Sequence, residues 1–499
     1  MFDVQALMDG IALLTSNWQM PLIILSGMLI GLVMGVIPGL NSAIGITLLL
    51  PVSYTMQPFE ALVLLTSVYT GGLTGGGITA ILINTPGAPA AAATVFDGYP
   101  MTRQGKANEA LGLQIASSVV GGLSGYVMLL LFIGPLVSLA LRFGPAEMMF
   151  LTVFVLAMMG VMGGRSFSKT VFSGIFGIML GTIGTSEETG VTRGTFGLIG
   201  LEDGIPQVVL IVGLFAIPEL FNLVSRRAIV DSTITEANSA RRIIEGAKSS
   251  FRYWKCMIRS AAIGVGVGAL PAAGSAIAAL LSYGQAKNSA KPGQKFGEGE
   301  PEGIVAAETA NNASEGGAMA VLLALGLPGS ASTAILIAAF MLHGLVPGQR
   351  LVVDNAPLVY GLIVANMFQM GFLFFCALGV ALISARIVYV PSKLLAPSLL
   401  CVMAIGAFSV RYLYFDIYLL LFLGILGWFF NKYGFSVICL IIGCILGRRF
   451  ELEYFRYETL FGNDPMVLIE RPIAGFFAAM TVLFIVLQIR KIRQRGTRV

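Results

Sequence analysis

Charge is what this sequence has least of. Lys and Arg number 31 and Asp and Glu 26, so 57 of 499 residues (11%) are charged, against roughly a quarter in an average soluble chain. So few charges cannot cover a soluble protein of this size. Residues 1–102 contain no Lys or Arg at all; Asp3, Asp9, Glu60 and Asp97 are their only charges. A single histidine, His343, excludes a multi-histidine zinc or iron site. The five cysteines (Cys256, Cys376, Cys401, Cys439 and Cys444) have no CxxC spacing and mostly sit in apolar runs. That excludes a disulfide scaffold and marks them as reduced packing residues. The N-terminus lacks the basic stretch of a cleaved signal peptide.

Apolar residues and glycine are abundant: 56% of the chain is hydrophobic and 61 residues are Gly, with mean hydropathy +0.85. Low charge with high Gly points to close-packed, interrupted membrane helices. The expected fold is an all-α polytopic membrane protein with ten to twelve crossings. Several apolar segments fall short of the roughly 20 residues a crossing needs, as in re-entrant hairpins and broken helices. Residues 226–302 hold 17 of the charges, including a basic run from Arg226 to Arg259, and the chain ends in Arg490, Lys491, Arg493, Arg495 and Arg498. The positive-inside rule then places the N-terminus outside and the middle loop and C-terminal tail in the cytoplasm. Three regions follow: a first transmembrane half (1–225), a basic cytoplasmic connector (226–260) and a second transmembrane half with the tail (261–499).

The halves repeat. At an offset of 233 residues Pro38 meets Pro271, Gly31 meets Gly264, Gly35 meets Gly268, and Ser42-Ala43-Ile44 meets Ser275-Ala276-Ile277. At 242, Gly75 falls on Gly317 and Thr85-Pro86-Gly87 on Leu327-Pro328-Gly329. One half begins at an end without positive charge and the other at the basic connector, so the repeats are expected to be inverted. Segments 20–50 and 261–284 are expected to be hairpins turning near Pro38-Gly39 and Pro271-Ala272.

Pro removes a helical hydrogen bond and Gly lets the backbone leave the helix. Each break should therefore expose half-helix ends, N-termini suiting a carboxylate and C-termini a cation. Asn41, Ser42, Asn84, Thr85, Pro86 and Gly87 in one half are the candidate substrate-binding residues. Gly274, Ser275, Asn312, Pro328, Gly329 and Ser330 are their counterparts in the other. Packing is the competing role for any single Ser or Thr. Glu308 and Glu315, seven residues apart in an apolar stretch, are coupling-ion candidates with Asn311, Ser332 and Thr333. Solvation near a helix start is the alternative for Glu308. No catalytic motif emerges: GGRSFSKT at 163–170 has Ser168 where a phosphate loop needs Gly. The chain reads as no enzyme and as needing no cofactor beyond Na⁺ or H⁺. A passive channel and the anchor of a membrane enzyme complex are the competing classes.

The stretches GLVMGVIPGLNSAIGITLLLP and GGLTGGGITAILINTPGAPAAAATVFDGYPM, with PAAGSAIAALLSYGQAK and EGIVAAETANNASEGGAMAVLLALGLPGSASTAILIAAFMLHGLVPG in the second half, resemble the TctA family. This family provides the large membrane subunit of the tripartite tricarboxylate transporters. The resemblance covers essentially the whole chain. It implies a bacterial inner-membrane secondary transporter for citrate-like or related carboxylates, coupled to Na⁺ or H⁺. It also implies two partners, a small four-helix membrane subunit (TctB-like) and a periplasmic binding protein (TctC-like). Ala272-Ala273, where the first half has Gly39-Leu40, departs from the repeat. The breaks are expected to form a pseudosymmetric midplane pocket on a moving unit, with 111–140 and 358–384 in a static scaffold.

Overall fold

The computed structural model describes residues 3–162, 167–186, 188–225, 239–271, 273–387, 392–462, 464 and 466–496. Ala272, residues 226–238 of the connector and the last three residues lie outside these. In chain order the helices are α1 (Val4–Ser16), α2 (Met20–Val36), α3 (Ser42–Ser53), α4 (Pro58–Ile83), α5 (Ala92–Arg103), α6 (Ala107–Ala140), α7 (Pro145–Met162) and α8 (Phe167–Gly181). There follow α9 (Gln207–Ile211), α10 (Ile217–Ser225), α11 (Ala240–Ser250), α12 (Trp254–Gly268), α13 (Gly274–Asn288), α14 (Pro301–Leu325), α15 (Ala331–Leu342) and α16 (Gln349–Asp354). The last are α17 (Ala356–Ile387), α18 (Ser392–Arg411), α19 (Tyr414–Lys432), α20 (Val437–Phe461), α21 (Val467–Glu470) and α22 (Pro472–Gly496). A two-residue antiparallel pair, Gly184–Thr185 with Thr192–Arg193, is the sole sheet among the described residues.

α4, α6, α17 and α19 are each long and apolar enough to cross a bilayer, and α1 with α2, bent by 83°, makes a fifth candidate. The chain is an all-α polytopic membrane protein. Further apolar helices are only 10–17 residues long, α3 and α15 among them. At about 1.5 Å per residue a 12-residue helix reaches only about 18 Å, short of a hydrocarbon core of roughly 30 Å. Among the described residues four helices, or five with the bent pair, are thus long enough to cross, against the ten to twelve crossings expected, and the shorter apolar helices cannot span alone.

The chain divides into two compact units. One comprises Met1–Val137 with Glu219–Gly406, the other Ser138–Pro218 with Ala407–Val499. In the second, α8 packs on α20, where Gly177 and Gly181 face the backbone at Leu440 and Cys444. Arg411 pairs there with the fully buried Asp416 and donates to the Gly200 carbonyl at 3.2 Å.

In the first unit α4 is the central helix, its apolar window wholly enclosed by protein. Pro58 opens it at a position where a missing N–H costs nothing, and Asn84, left-handed at φ 56°, closes it. α14 is built alike: Pro301 opens it and Gly326, left-handed at φ 66°, closes it. The left-handed residues are 242 positions apart (326 − 84), the offset of the sequence repeat. α1 packs on α17, where a Cβ at Gly10 would sit 2.9 Å from Gly361 Cα.

Candidate functional site

Contacts along α2, α3 and α4 define the first hairpin. Gly27, Gly31 and Gly35 of α2 face Leu64, Val68 and Gly72 of α4 in the same order, so these two helices run parallel. A Cβ at Gly31 would lie 2.9 Å from Val68 Cα. α3 begins with Ser42 against Gly72 and returns past Met34, which faces Gly45. The turn lies at 37–41, as the Pro38-Gly39 break predicts. Asn41 is extended there (φ −148°), and its side-chain oxygen accepts from the Ile44 N–H at 3.1 Å, capping α3.

The second hairpin repeats this. Gly264 and Gly268 of α12 face Ala310 and Ser314 of α14, again in the same order. α13 starts where the Gly274 N–H donates to the Gly329 carbonyl at 3.2 Å. It ends near the start of α14, where Ser282 donates to the Ala306 carbonyl at 2.9 Å. Each long helix thus begins at the end of its hairpin where the chain enters and leaves, and its far end lies by the hairpin tip.

Breaks meet tips. A Cβ at Gly87 would land on the Gly35 carbonyl oxygen, and one at Gly329 would lie 2.9 Å from that of Gly268; positions 35 and 268 correspond at the offset of 233. The halves also cross over: Ser42, at the first turn of α3, lies 2.9 Å from the Ser332 hydroxyl in the first turn of α15. Ser330 caps α15 through a capping box with Thr333 and shares a 3.1 Å hydrogen bond with Tyr69 of α4. Two helix N-termini, α3 and α15, therefore converge within one hydrogen bond of each other. Their dipoles, and the first-turn N–H groups that the Asn41 and Ser330 caps leave over, suit an anion.

α4 and α14 run antiparallel. Thr70 donates to Glu315 at 2.6 Å, Thr74 to Asn312 at 3.0 Å, and Gly77 faces Glu308. Both carboxylates are 0% exposed, on one face of α14; the solvated alternative for Glu308 does not hold in this fold. Glu308 accepts from Thr94 of α5 at 2.5 Å and from Ser118 of α6 at 3.1 Å, with the Gln114 and Asn311 amides beside it. Glu315 accepts from Thr70 and from Tyr126 of α6, both at 2.6 Å and both on Oε1. Behind Thr70 the network continues to Gln369 of α17, which bonds Thr70 at 3.2 Å and accepts from Ser67 at 2.7 Å. No salt bridge among the described residues involves either glutamate.

The sequence candidates separate into places. Asn41, Ser42, Gly87, Pro328, Gly329, Ser330, Ser332 and Thr333 gather at the tips and breaks. Gly274 and Ser275 open α13 at the second tip, half-buried. Asn84 is exposed and Thr85 and Pro86 half-buried on the far side of the first break. Asn311 and Asn312 lie at the α4–α14 crossing with Glu308 and Glu315. Sequence reasoning missed Tyr69, Thr94, Gln114, Ser118, Tyr126 and Gln369, single polar residues scattered through apolar helices. Ser67, Thr70 and Thr74, spaced three and four apart, did carry a signal, a hydroxyl stripe along one face of α4.

The description "Tripartite tricarboxylate transporter TctA family" matches residues 22–442. A protein of Agrobacterium vitis described as an uncharacterized 52.8 kDa protein in the TAR-I ttuC' 3' region is 33% identical over 465 residues, covering 92% of this chain and 91% of its own length. A second A. vitis protein, from the TAR-II ttuC' 3' region, is 30% identical over 223 residues, 44% of this chain and 91% of its own. No solved structure matches the chain. The chain belongs to the TctA family and is the large membrane component of a tripartite transporter system.

Proposed function

We propose that this protein imports a carboxylate, tricarboxylate or related organic acid, across a bacterial inner membrane by secondary active transport coupled to Na⁺ or H⁺. The observation that carries this reading is the Ser42–Ser332 contact, which brings two helix N-termini together from opposite halves. Lys and Arg are absent from 1–102 and from 303–346, so the anion is held by helix dipoles, backbone N–H groups and neutral side chains. Asn41, Ser42, Asn84, Thr85, Pro86 and Gly87, with Gly274, Ser275, Asn312, Pro328, Gly329 and Ser330, form or border the pocket. The two buried glutamates, with Asn311, Ser332 and Thr333 as further polar positions, serve the coupling cation, since a buried carboxylate without a basic partner calls for a cation or a proton.

The antiparallel crossing of α4 and α14, equivalent helices of the repeat, supports an inverted repeat and an alternating-access motion of the elevator type. In this reading the N-terminus is periplasmic and the C-terminus cytoplasmic. A small TctB-like membrane subunit and a TctC-like periplasmic binding protein complete the system. Proteoliposomes holding all three components test it: carboxylate uptake should follow an imposed Na⁺ or pH gradient and require the binding protein. Uptake indifferent to both gradients defeats the proposal.

A further inference from the structure

The two buried glutamates of α14 are not equivalent. Glu308 is met on both oxygens: Thr94 donates to Oε1 at 2.5 Å and Ser118 to Oε2 at 3.1 Å, and two side-chain amides face the same carboxylate. Its donors come from α5 and α6, a neutral cage that joins these helices to α14. Charge there is spread over hydrogen bonds that need no exchange to be satisfied.

Glu315 is met on one side alone. Thr70 and Tyr126 both donate to Oε1, whereas Oε2 is buried and accepts no hydrogen bond from the described residues. A bare carboxylate oxygen sealed from water is costly if charged and tolerable once protonated. Among the described residues the titratable groups near it are tyrosines: Tyr126 from α6 and Tyr69 from α4. α17 presents Gln369, and α12 packs on α14 through glycines at 264 and 268. A sodium ion would need an oxygen cage around Oε2, and the two hydroxyls nearest the carboxylate, Thr70 and Tyr126, are both placed at Oε1.

Position adds to this. Tyr69 is adjacent in sequence to Thr70 and bonds Ser330 at 3.1 Å. One residue thus separates the carboxylate's donor from the cap of α15. Among the described residues no hydrogen bond joins the donors of Glu308 to Ser330; they lie on α5 and α6, and Gln114 beside them donates to the Thr74 carbonyl at 2.9 Å.

The geometry points to Glu315, and not Glu308, as the carboxylate that takes up and releases the coupling proton. The step is a simple protonation, one H⁺ from water adding to Oε2 and returning to water. This inference rests on the coupled-transport reading above but is tested without transport. Infrared difference spectra are recorded on the full chain in liposomes between about pH 5 and about pH 9, bracketing the range in which perturbed carboxyl groups titrate. A carbonyl-stretch band of a protonated carboxylic acid should grow at the acid end in wild type. It should persist in Glu308→Gln and vanish in Glu315→Gln. Glu315→Asp, which keeps the carboxyl group and guards against misfolding, should restore the band at a shifted frequency. Survival of the band in Glu315→Gln, its loss in Glu308→Gln alone, or its absence from folded Glu315→Asp overturns the assignment. So does a saturable Na⁺-dependent thermal stabilisation that Glu315→Gln abolishes. Failure of gradient-driven uptake with the band pattern intact would count against the transport reading and leave this one standing.

Discussion

The side-chain hydroxyl of Ser42 lies 2.9 Å from that of Ser332, although 290 residues separate them in sequence. It is the point at which the returning arm of the first hairpin touches the helix that follows the second break. If alternating access requires tip and helix to part, joining them should stop it.

A Ser42→Cys, Ser332→Cys protein lacking its native cysteines should cross-link under mild oxidation and lose carboxylate uptake in proteoliposomes. Reductant should restore uptake, whereas either single substitution should show no response to the redox treatment.

Glycines of α12 should answer oppositely to alanine. A Cβ at Gly268 would lie 2.8 Å from Ser314 Cα, against backbone that cannot yield, whereas Gly266 has nothing within 4 Å. Gly268→Ala should destabilise by about 1–3 kcal/mol through overpacking. Gly266→Ala should stabilise by about 0.5–1 kcal/mol through helix propensity. Thermal melts of the two purified variants should move in opposite directions.

Asn84 combines a backbone role, left-handed at φ 56°, with an exposed carboxamide. Asn84→Gly keeps the backbone conformation and removes the side chain. It should melt like wild type yet take up carboxylate more slowly. Asn84→Val forces a β-branched residue into the left-handed region and should lose about 1–2 kcal/mol of stability.

One oxygen of Asp97 accepts from the N–H groups of Gly297, Gly299 and Glu300 at 2.7, 2.9 and 2.8 Å. The 289–300 loop is tied to α5 in this way. Hydrogen bonds to a charged acceptor each contribute about 1.5–3 kcal/mol. Asp97→Ala should therefore loosen the loop, and trypsin should cut after Lys295 at least about tenfold faster, since cleavage follows local opening. Digestion time courses followed by mass spectrometry would show it.

Much of the site was legible because its markers are local. Pro38 and Pro271 announce the two tips, and the Pro-Gly pairs at 86–87 and 328–329 announce the breaks, since both act on the backbone where they stand. The parallel register of α2 with α4 runs along glycines four apart at 27, 31 and 35, of which the repeat had marked 31 and 35. The cages around Glu308 and Glu315 were not legible. Thr94, Ser118 and Tyr126 are single polar residues in apolar helices, and what makes them partners is the crossing of α5 and α6 over α14, a long-range event with no trace in local spacing. Segments 111–140 and 358–384, read from sequence as scaffold, each supply polar partners to this network through Tyr126 and Gln369.

The contact of Gly10 with Gly361 joins residues 351 positions apart (361 − 10). A ribosome adding roughly 5–20 residues each second needs on the order of 20–70 s to cover that stretch. Through that interval α1 has no partner on α17, and what holds it in place is nearer at hand: Asn17, just beyond its last turn, donates to Glu60 at the start of α4 at 2.5 Å. The contacts of the N-terminal helix are thus of two ages, one with a partner made 43 residues after Asn17 and one whose partner arrives only after most of the chain is made.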